Sequence, residues 1–418
     1  MYFKKLNFKN QPLNDKKMNI IEMVIVLFFA FCYILPSFEM NIVFMILLCV
    51  AYAVFVFGCD PKMGKILFCS LGLCCWISLM YLLLTQSSTI NFQASNRGLK
   101  VFLSKFHQIF TMFFPVFLLI RVQQKATKKQ KVFLLTIIAV IILYVMAITI
   151  RELQINPDIA HSWQAMDESV DENFASYYFV YAIPILVAFL TGVFFYKPNI
   201  YVKIICLLFI IFSFYFLIES QYTLSILIAI IGLSLAFFKN EKNIILKIVG
   251  VFVTIAILIY LPHILKYFSS IIESKSVAVR LEELSNFFSS GDATGYNLNG
   301  RLELYWKCIV TFIKSPVWGN DSLGVSGHAT FLTILSDTGI LGGIPFFYLC
   351  FYMRKNVIEL LSDEEGLFDV PFIVMVLIGL TNPIESALPL KLALWFVCPL
   401  AISLIYEKRR TKNEQMGN

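Results

Sequence analysis

Long hydrophobic runs, nearly free of charge, follow one another along almost the whole chain, separated by short polar gaps. They cover Ile20 to Pro36, Ile42 to Gly58, Ile66 to Thr85, His107 to Ile120, Val132 to Ile150, Tyr177 to Tyr196, Ile204 to Ile218, Leu224 to Phe238, Ile248 to Leu265, about His328 to Met353, Leu367 to Leu380 and Lys391 to Tyr406. An uncharged run approaching 20 residues crosses the hydrocarbon as a helix, because the backbone there must satisfy its own hydrogen bonds. The pattern therefore predicts an all-α, polytopic transmembrane helical bundle of about twelve spans. The first run follows a basic stretch, Met1 to Lys17, and no small-residue cleavage site comes after it, so it reads as a retained anchor.

One interruption breaks the rhythm. From Lys266 to Gly327 about sixty residues stay polar enough to lie outside a bilayer, dividing the chain into 1–265, a bundle of about nine spans; 266–327, a large loop; and 328–418, about three further spans and a basic tail. Within the loop, Leu298 to Ser315 places Leu302, Tyr305, Trp306, Ile309, Val310 and Ile313 at helical spacing, with Glu303, Lys307, Thr311 and Lys314 on the other face. Such a helix would lie along the membrane surface or pack on the spans. A shorter amphipathic stretch, Ser276 to Phe288, precedes it, and Ser289 to Gly300 reads as a turn-rich linker.

Composition agrees with the pattern. Hydrophobic residues make up 59% of the chain and charged residues 15%, which is far from a soluble balance. The net charge of +7 does not point to nucleic acid, because the basic residues sit in short clusters between spans, not in one aromatic-interleaved patch. They report topology instead. With both termini inside, about two-thirds of the 34 Lys and Arg fall in inner connectors, and Arg121 to Lys131 is the densest of these. The large loop is then extracytoplasmic. The ten cysteines, mostly within apolar runs, form neither a disulfide framework nor a C-x-x-C metal pair.

Candidate chemistry concentrates in the loop. Arg301 is expected in the first turn of its helix, where a cation opposes the helix dipole. It reads either as a surface arginine pairing with a carboxylate or headgroup, or as a planar guanidinium that grips a phosphate bidentately. Arg280 has the same two readings, with Glu283 at i+3 as a ready partner. His328 follows a glycine-rich turn at the mouth of a span, and it is either an interface residue or a group able to take a proton from a hydroxyl. Gly319, Gly324 and Gly327 would let backbone approach a ligand, or would serve steric needs alone. Metal, Walker and nucleophile-elbow signatures are absent from the sequence.

Three clusters of these residues resemble a family. G-R-x-x-x-x-W (Gly300, Arg301, Trp306), then S-P-x-x-G (Ser315, Pro316, Gly319), then His328 followed by F-L-x-x-L-x-x-x-G-I-x-G (Phe331, Leu332, Leu335, Gly339, Ile340, Gly342) look like the O-antigen ligase/polymerase family of bacterial membrane glycosyltransferases. The match covers about sixty residues. It implies a GT-C-like fold, undecaprenyl-diphosphate-linked oligosaccharide donors, a growing glycan as acceptor, and neither cofactor nor bound metal. Residue by residue, it assigns diphosphate binding to Arg301 and less directly Arg280, and the base role to His328. Two departures stand out: His328 is followed by Ala329, where the family often has Asn, and Ser220 by Gln221, where it often has Arg. Arg97 or Arg151 would then supply a missing cation. Trp306, Trp318 and Tyr296 are available to stack on sugars, against a default of simple packing. A flippase and a chain-length regulator are the protein partners implied, with no nucleic acid.

Two other readings compete. A lipid-linked oligosaccharide flippase would carry ionisable groups or broken helices at mid-membrane, whereas the spans read as nearly free of charge. A peptidoglycan polymerase would be expected to use an acidic loop residue, and the loop carboxylates are scattered.

Overall fold

The computed structural model describes residues 18–38, 41–58, 60–87, 94–156, 159, 170, 174–175, 177–196, 199–220, 222–241, 243–271, 278–279, 281–282, 285–286, 289, 296–320, 329–361 and 366–406. The described residues form helices and no strand. In chain order these are α1 (Ile20–Ile34), α2 (Ile42–Phe57), α3 (Pro61–Ser87), α4 (Ala94–Lys125), α5 (Lys128–Ile155), α6 (Tyr178–Phe195, interrupted at Tyr181), α7 (Ile200–Glu219), α8 (Thr223–Asn240), α9 (Ile244–Ile271), α10 (Tyr296–Lys314), α11 (Thr330–Leu361), α12 (Asp369–Thr381) and α13 (Leu388–Tyr406). Each apolar run of the sequence is helical. Among the described residues seven helices are long and apolar enough to cross a membrane, and four more apolar helices are shorter, at 10–17 residues. The chain has the make-up of a multi-pass membrane protein, with lipid-ready side chains such as Phe55 and Ile205 turned outward.

Helix starts follow local chemistry. Asn19, Asn41 and Asn199 each accept a backbone N–H of the first turn at 2.7–3.0 Å, and Thr127 with Gln130 forms a reciprocal capping box before α5. In one place the boundary moves. The stretch from Gln86 to Phe106, expected as a connector, is helical from Ala94 onward. Phe102, Phe106 and Phe110 recur every four residues and stack ring on ring, while the Lys105 ammonium lies over the Tyr81 ring, so the segment packs in spite of its charges.

Helix α4 is the central post. From Ile109 to Ile120 every residue is buried, with Phe113 meeting Trp395 of α13. At one end of the bundle Asp369, opening α12, is held by Arg354 at 2.5 Å and Lys239 at 2.6 Å, and Arg121 pairs with Glu22. This basic end gives a common level from which heights can be reckoned. From Asp369 to Thr381 helix α12 climbs only about 18 Å, well short of a hydrocarbon core of roughly 30 Å. The chain then leaves helical geometry, and residues 382–387 run as an irregular turn before α13 begins. Five residues into α13, Ala393 to Val397 form a π turn.

A second break lies in α11, where Gly339 has φ 58 and ψ −156. The turn after α10 repairs it: Pro316 and Val317 carbonyls accept the N–H groups of Ile340 and Leu341 at 2.8 and 3.2 Å, and Asn320 N–H donates to the Ser336 carbonyl at 2.8 Å. The two glycines of the S-P-x-x-G and G-I-x-G pattern meet here, main chain against main chain. A Cβ on Gly319 would stand 2.4 Å from the Asp337 carbonyl, and one on Gly339 would stand 2.4 Å from the Val317 oxygen. Their steric role is thus accounted for without a ligand.

Gly319→Ala or Gly339→Ala should therefore cost about 3 kcal/mol through overpacking and backbone strain. Gly72→Ala, where an added Cβ meets nothing within 4 Å, should be neutral or slightly stabilising. Thermal unfolding of the purified protein in detergent checks the contrast, and equal losses at all three sites would refute it.

Candidate functional site

The break between α12 and α13 gathers a cluster of polar side chains inside the bundle. The Asn382 N–H caps α12 on the Ile378 carbonyl at 2.7 Å, and its side-chain oxygen accepts the Tyr181 hydroxyl at 2.7 Å. Its backbone carbonyl accepts the N–H of Thr330, the first residue of α11, at 3.2 Å. The Thr330 hydroxyl in turn accepts the Ile384 N–H at 2.7 Å and hydrogen-bonds the Glu385 carboxylate. Glu385 is 7% exposed, and its negative charge at the opening of α11 suits the helix dipole.

Beneath it lies Lys391, which is fully buried. Its ammonium donates to the Gln108 backbone carbonyl at 3.0 Å and to the Thr111 hydroxyl at 2.9 Å, both on α4, and Glu385 attracts it electrostatically. Gln108 also reaches Ser386 at 3.4 Å, while its side-chain carbonyl oxygen is buried without a partner. The Thr111 carbonyl accepts the Tyr33 hydroxyl at 2.8 Å. Reckoned from the basic end, Thr381 is about 18 Å up, so this cluster sits inside the apolar slab, slightly beyond its middle. Irregular backbone is tolerated at such depth only when protein or a water-filled cavity satisfies it.

Helix α10 closes the cluster from the far side. It packs on α11 through Cys308 and Thr311, both buried, and the Tyr305 hydroxyl donates to the Thr381 carbonyl at 2.8 Å. Arg301, one turn back, is exposed and lies within electrostatic reach of Tyr305 and Tyr181. Lys307 pairs with Glu303 at 2.6 Å.

The expected face of α10 needs correcting. Thr311, assigned to the polar face, is 1% exposed against α11, whereas Leu302, Trp306, Ile309 and Ile313 point away from the protein. Arg301 is the sixth residue of a helix that begins at Tyr296, so it lies beyond the first turn and its conflict with the helix dipole lapses. The structure brings Arg301 and Tyr305 to the polar cluster; Trp306, on the outward stripe, and Trp318, in the exposed turn, are not brought there. Arg280 and His328 lie outside the described residues, as do the side chains of Arg97 and Tyr296.

No family model and no curated protein matches the chain. The site thus has to be weighed on its own chemistry. It offers one exposed guanidinium and two tyrosine hydroxyls at its mouth, with a buried carboxylate and ammonium below. The expectation of spans nearly free of charge is corrected at this point. Lys391 was read as the boundary of an apolar run and Glu385 as part of a connector, yet both are buried because α12 stops early and carries the turn down into the bundle.

Removing one member of such a couple leaves the other uncompensated in low dielectric. Lys391→Met should cost about 3 kcal/mol, and the double variant Lys391→Met/Glu385→Gln should recover much of that. Thermal unfolding of the three proteins in one detergent measures the coupling, and strict additivity would show that the two charges are independent.

Proposed function

We propose that the protein is a bacterial cytoplasmic-membrane glycosyltransferase with about twelve spans and both termini inside, which joins undecaprenyl-diphosphate-linked oligosaccharide repeat units into a capsule, exopolysaccharide or O-antigen. The observation that carries this reading is the exposed guanidinium of Arg301, beside Tyr305 at the mouth of a buried polar cluster. The sequence pattern around Gly300, Arg301, Trp306 and His328 supports it independently.

A lipid diphosphate is a good leaving group, so the transfer asks for cations that absorb its developing charge and a base that frees the acceptor hydroxyl. Arg301 takes the first role, with Arg280 and Arg97 as further cations. His328, two residues before the Thr330 anchor, takes the second. A single displacement at the anomeric carbon inverts its configuration. A ligase that moves finished glycan to a lipid or protein acceptor would use the same groups.

One observation favours a second reading. A buried Lys391 and Glu385 at a broken helix within the slab is what a transporter of lipid-linked oligosaccharide would also carry. The two are separated by giving the purified protein lipid-linked repeat units in detergent: elongation supports the transferase, and movement across vesicles without elongation supports the transporter.

Within the transferase reading, Arg301→Lys should lower turnover at least about tenfold despite keeping the charge, because the bidentate fork is lost. His328→Ala should leave membrane insertion and donor binding intact and stop elongation. Near-normal glycan length in either variant, read on gels of surface polysaccharide, would remove that residue from its role.

A further inference from the structure

The outward face of α10 carries an apolar stripe with no partner among the described residues. Leu302, Trp306, Ile309 and Ile313 are 40, 64, 39 and 67% exposed, and the following turn adds Val317 and Trp318 at 48 and 59%. The spacing of four, three and four residues puts the four helical members on one side. Facing water, a contiguous patch of this kind would be a liability for a segment outside a membrane.

The height of the helix can be read at its middle and just past its end. At its middle, Tyr305 bonds the Thr381 carbonyl, and Thr381 lies twelve residues along α12 from Asp369, a climb of about 18 Å. Just past its end, the Pro316 carbonyl accepts the Ile340 N–H, and Ile340 lies fourteen residues up α11 from Arg354, about 21 Å. Arg354 and Asp369 are ion-paired, so both climbs start from one level. From Tyr305 to the turn at Pro316, α10 is therefore laid across the bundle, about 10 Å short of the far boundary of a 30 Å hydrocarbon core.

The stripe is continuous in character with the α11 flank to which it is stitched, where Ile340, Ile344 and Phe351 are 40, 59 and 57% exposed. That flank belongs to a helix long and apolar enough to span a membrane. We propose that α10 is a bilayer-embedded helix whose Leu302, Trp306, Ile309 and Ile313 are covered by lipid acyl chains, not a helix of a water-exposed loop. This goes beyond the transferase reading and stands without it. It also fixes how the polar cluster is approached: Arg301 sits at the edge between acyl chains and the Tyr305–Tyr181 mouth, so a ligand carried on a lipid arrives sideways from the membrane.

The test is quenching of Trp306 in the full-length protein, reconstituted into phosphatidylcholine/phosphatidylglycerol vesicles. The Trp306 signal is the difference between the protein and its Trp306→Phe variant, whose thermal unfolding should match because the ring touches little. With phosphatidylcholine brominated at mid-chain the difference signal should fall by more than about twofold, and acrylamide in the aqueous phase should barely change it. Strong acrylamide quenching with no response to brominated lipid would overturn the proposal by placing the stripe in water. Protection from both quenchers would overturn it as well, since protein, such as a second copy of the chain, would then cover the face.

Discussion

Two transmembrane elements of this protein are broken, and backbone freed inside an apolar slab has to find partners that water cannot supply. At Gly339 the partners are the carbonyls of Pro316 and Val317 and the N–H of Asn320. At the end of α12 they are Tyr305, on the Thr381 carbonyl, and Thr330, on the Asn382 carbonyl and the Ile384 N–H. One structural piece, α10 with its following turn, serves both breaks. The sixty-residue interruption of the apolar pattern is in this way part of the bundle, because its helix and turn complete the hydrogen bonding of spans that would otherwise be unfinished.

This suturing explains where charge is allowed. Lys391 can be buried because two α4 acceptors lie within 3.0 Å of it and Glu385 offsets its charge. Glu385 can be buried because the Thr330 hydroxyl meets it at the opening of α11, where a negative charge is favoured. Had α12 run unbroken into a surface turn, both groups would stand in water and need no such partners. The helix break, the π turn in α13 and the charge couple are one arrangement, and its upper edge is where Arg301 and Tyr305 stand.

Much of the fold was legible in the sequence, because long apolar runs nearly free of charge have one sensible structure in lipid. Less legible was depth. Nothing in the run from Leu367 to Leu380 says that its helix stops about 18 Å from the basic end, so Glu385 and Lys391 looked like surface residues. The one hint was the cluster of Asn382, Pro383 and Glu385 directly ahead of an apolar stretch that opens with a lysine. The face of α10 was misread for a related reason. Hydrophobic spacing finds a stripe but does not say whether protein or lipid covers it, and here the protein side took the smaller, more polar Cys308 and Thr311. Small and polar residues suit close helix packing when both alternatives to contact are equally apolar.

The transferase and transporter readings share more physics than their names suggest. Both need a place within the membrane where the headgroup of a lipid-borne oligosaccharide can be met by fixed charge, and a broken helix is how an all-helical bundle makes such a place. What differs is which charge faces the ligand. A transporter would present the buried couple itself, whereas here Lys391 is turned toward α4 and engaged by its carbonyl and hydroxyl, and the exposed charge is the guanidinium above. An engaged ammonium below and an exposed fork above fit a structural floor with a reactive rim, and it is the rim that the pattern around Gly300, Arg301 and Trp306 marks.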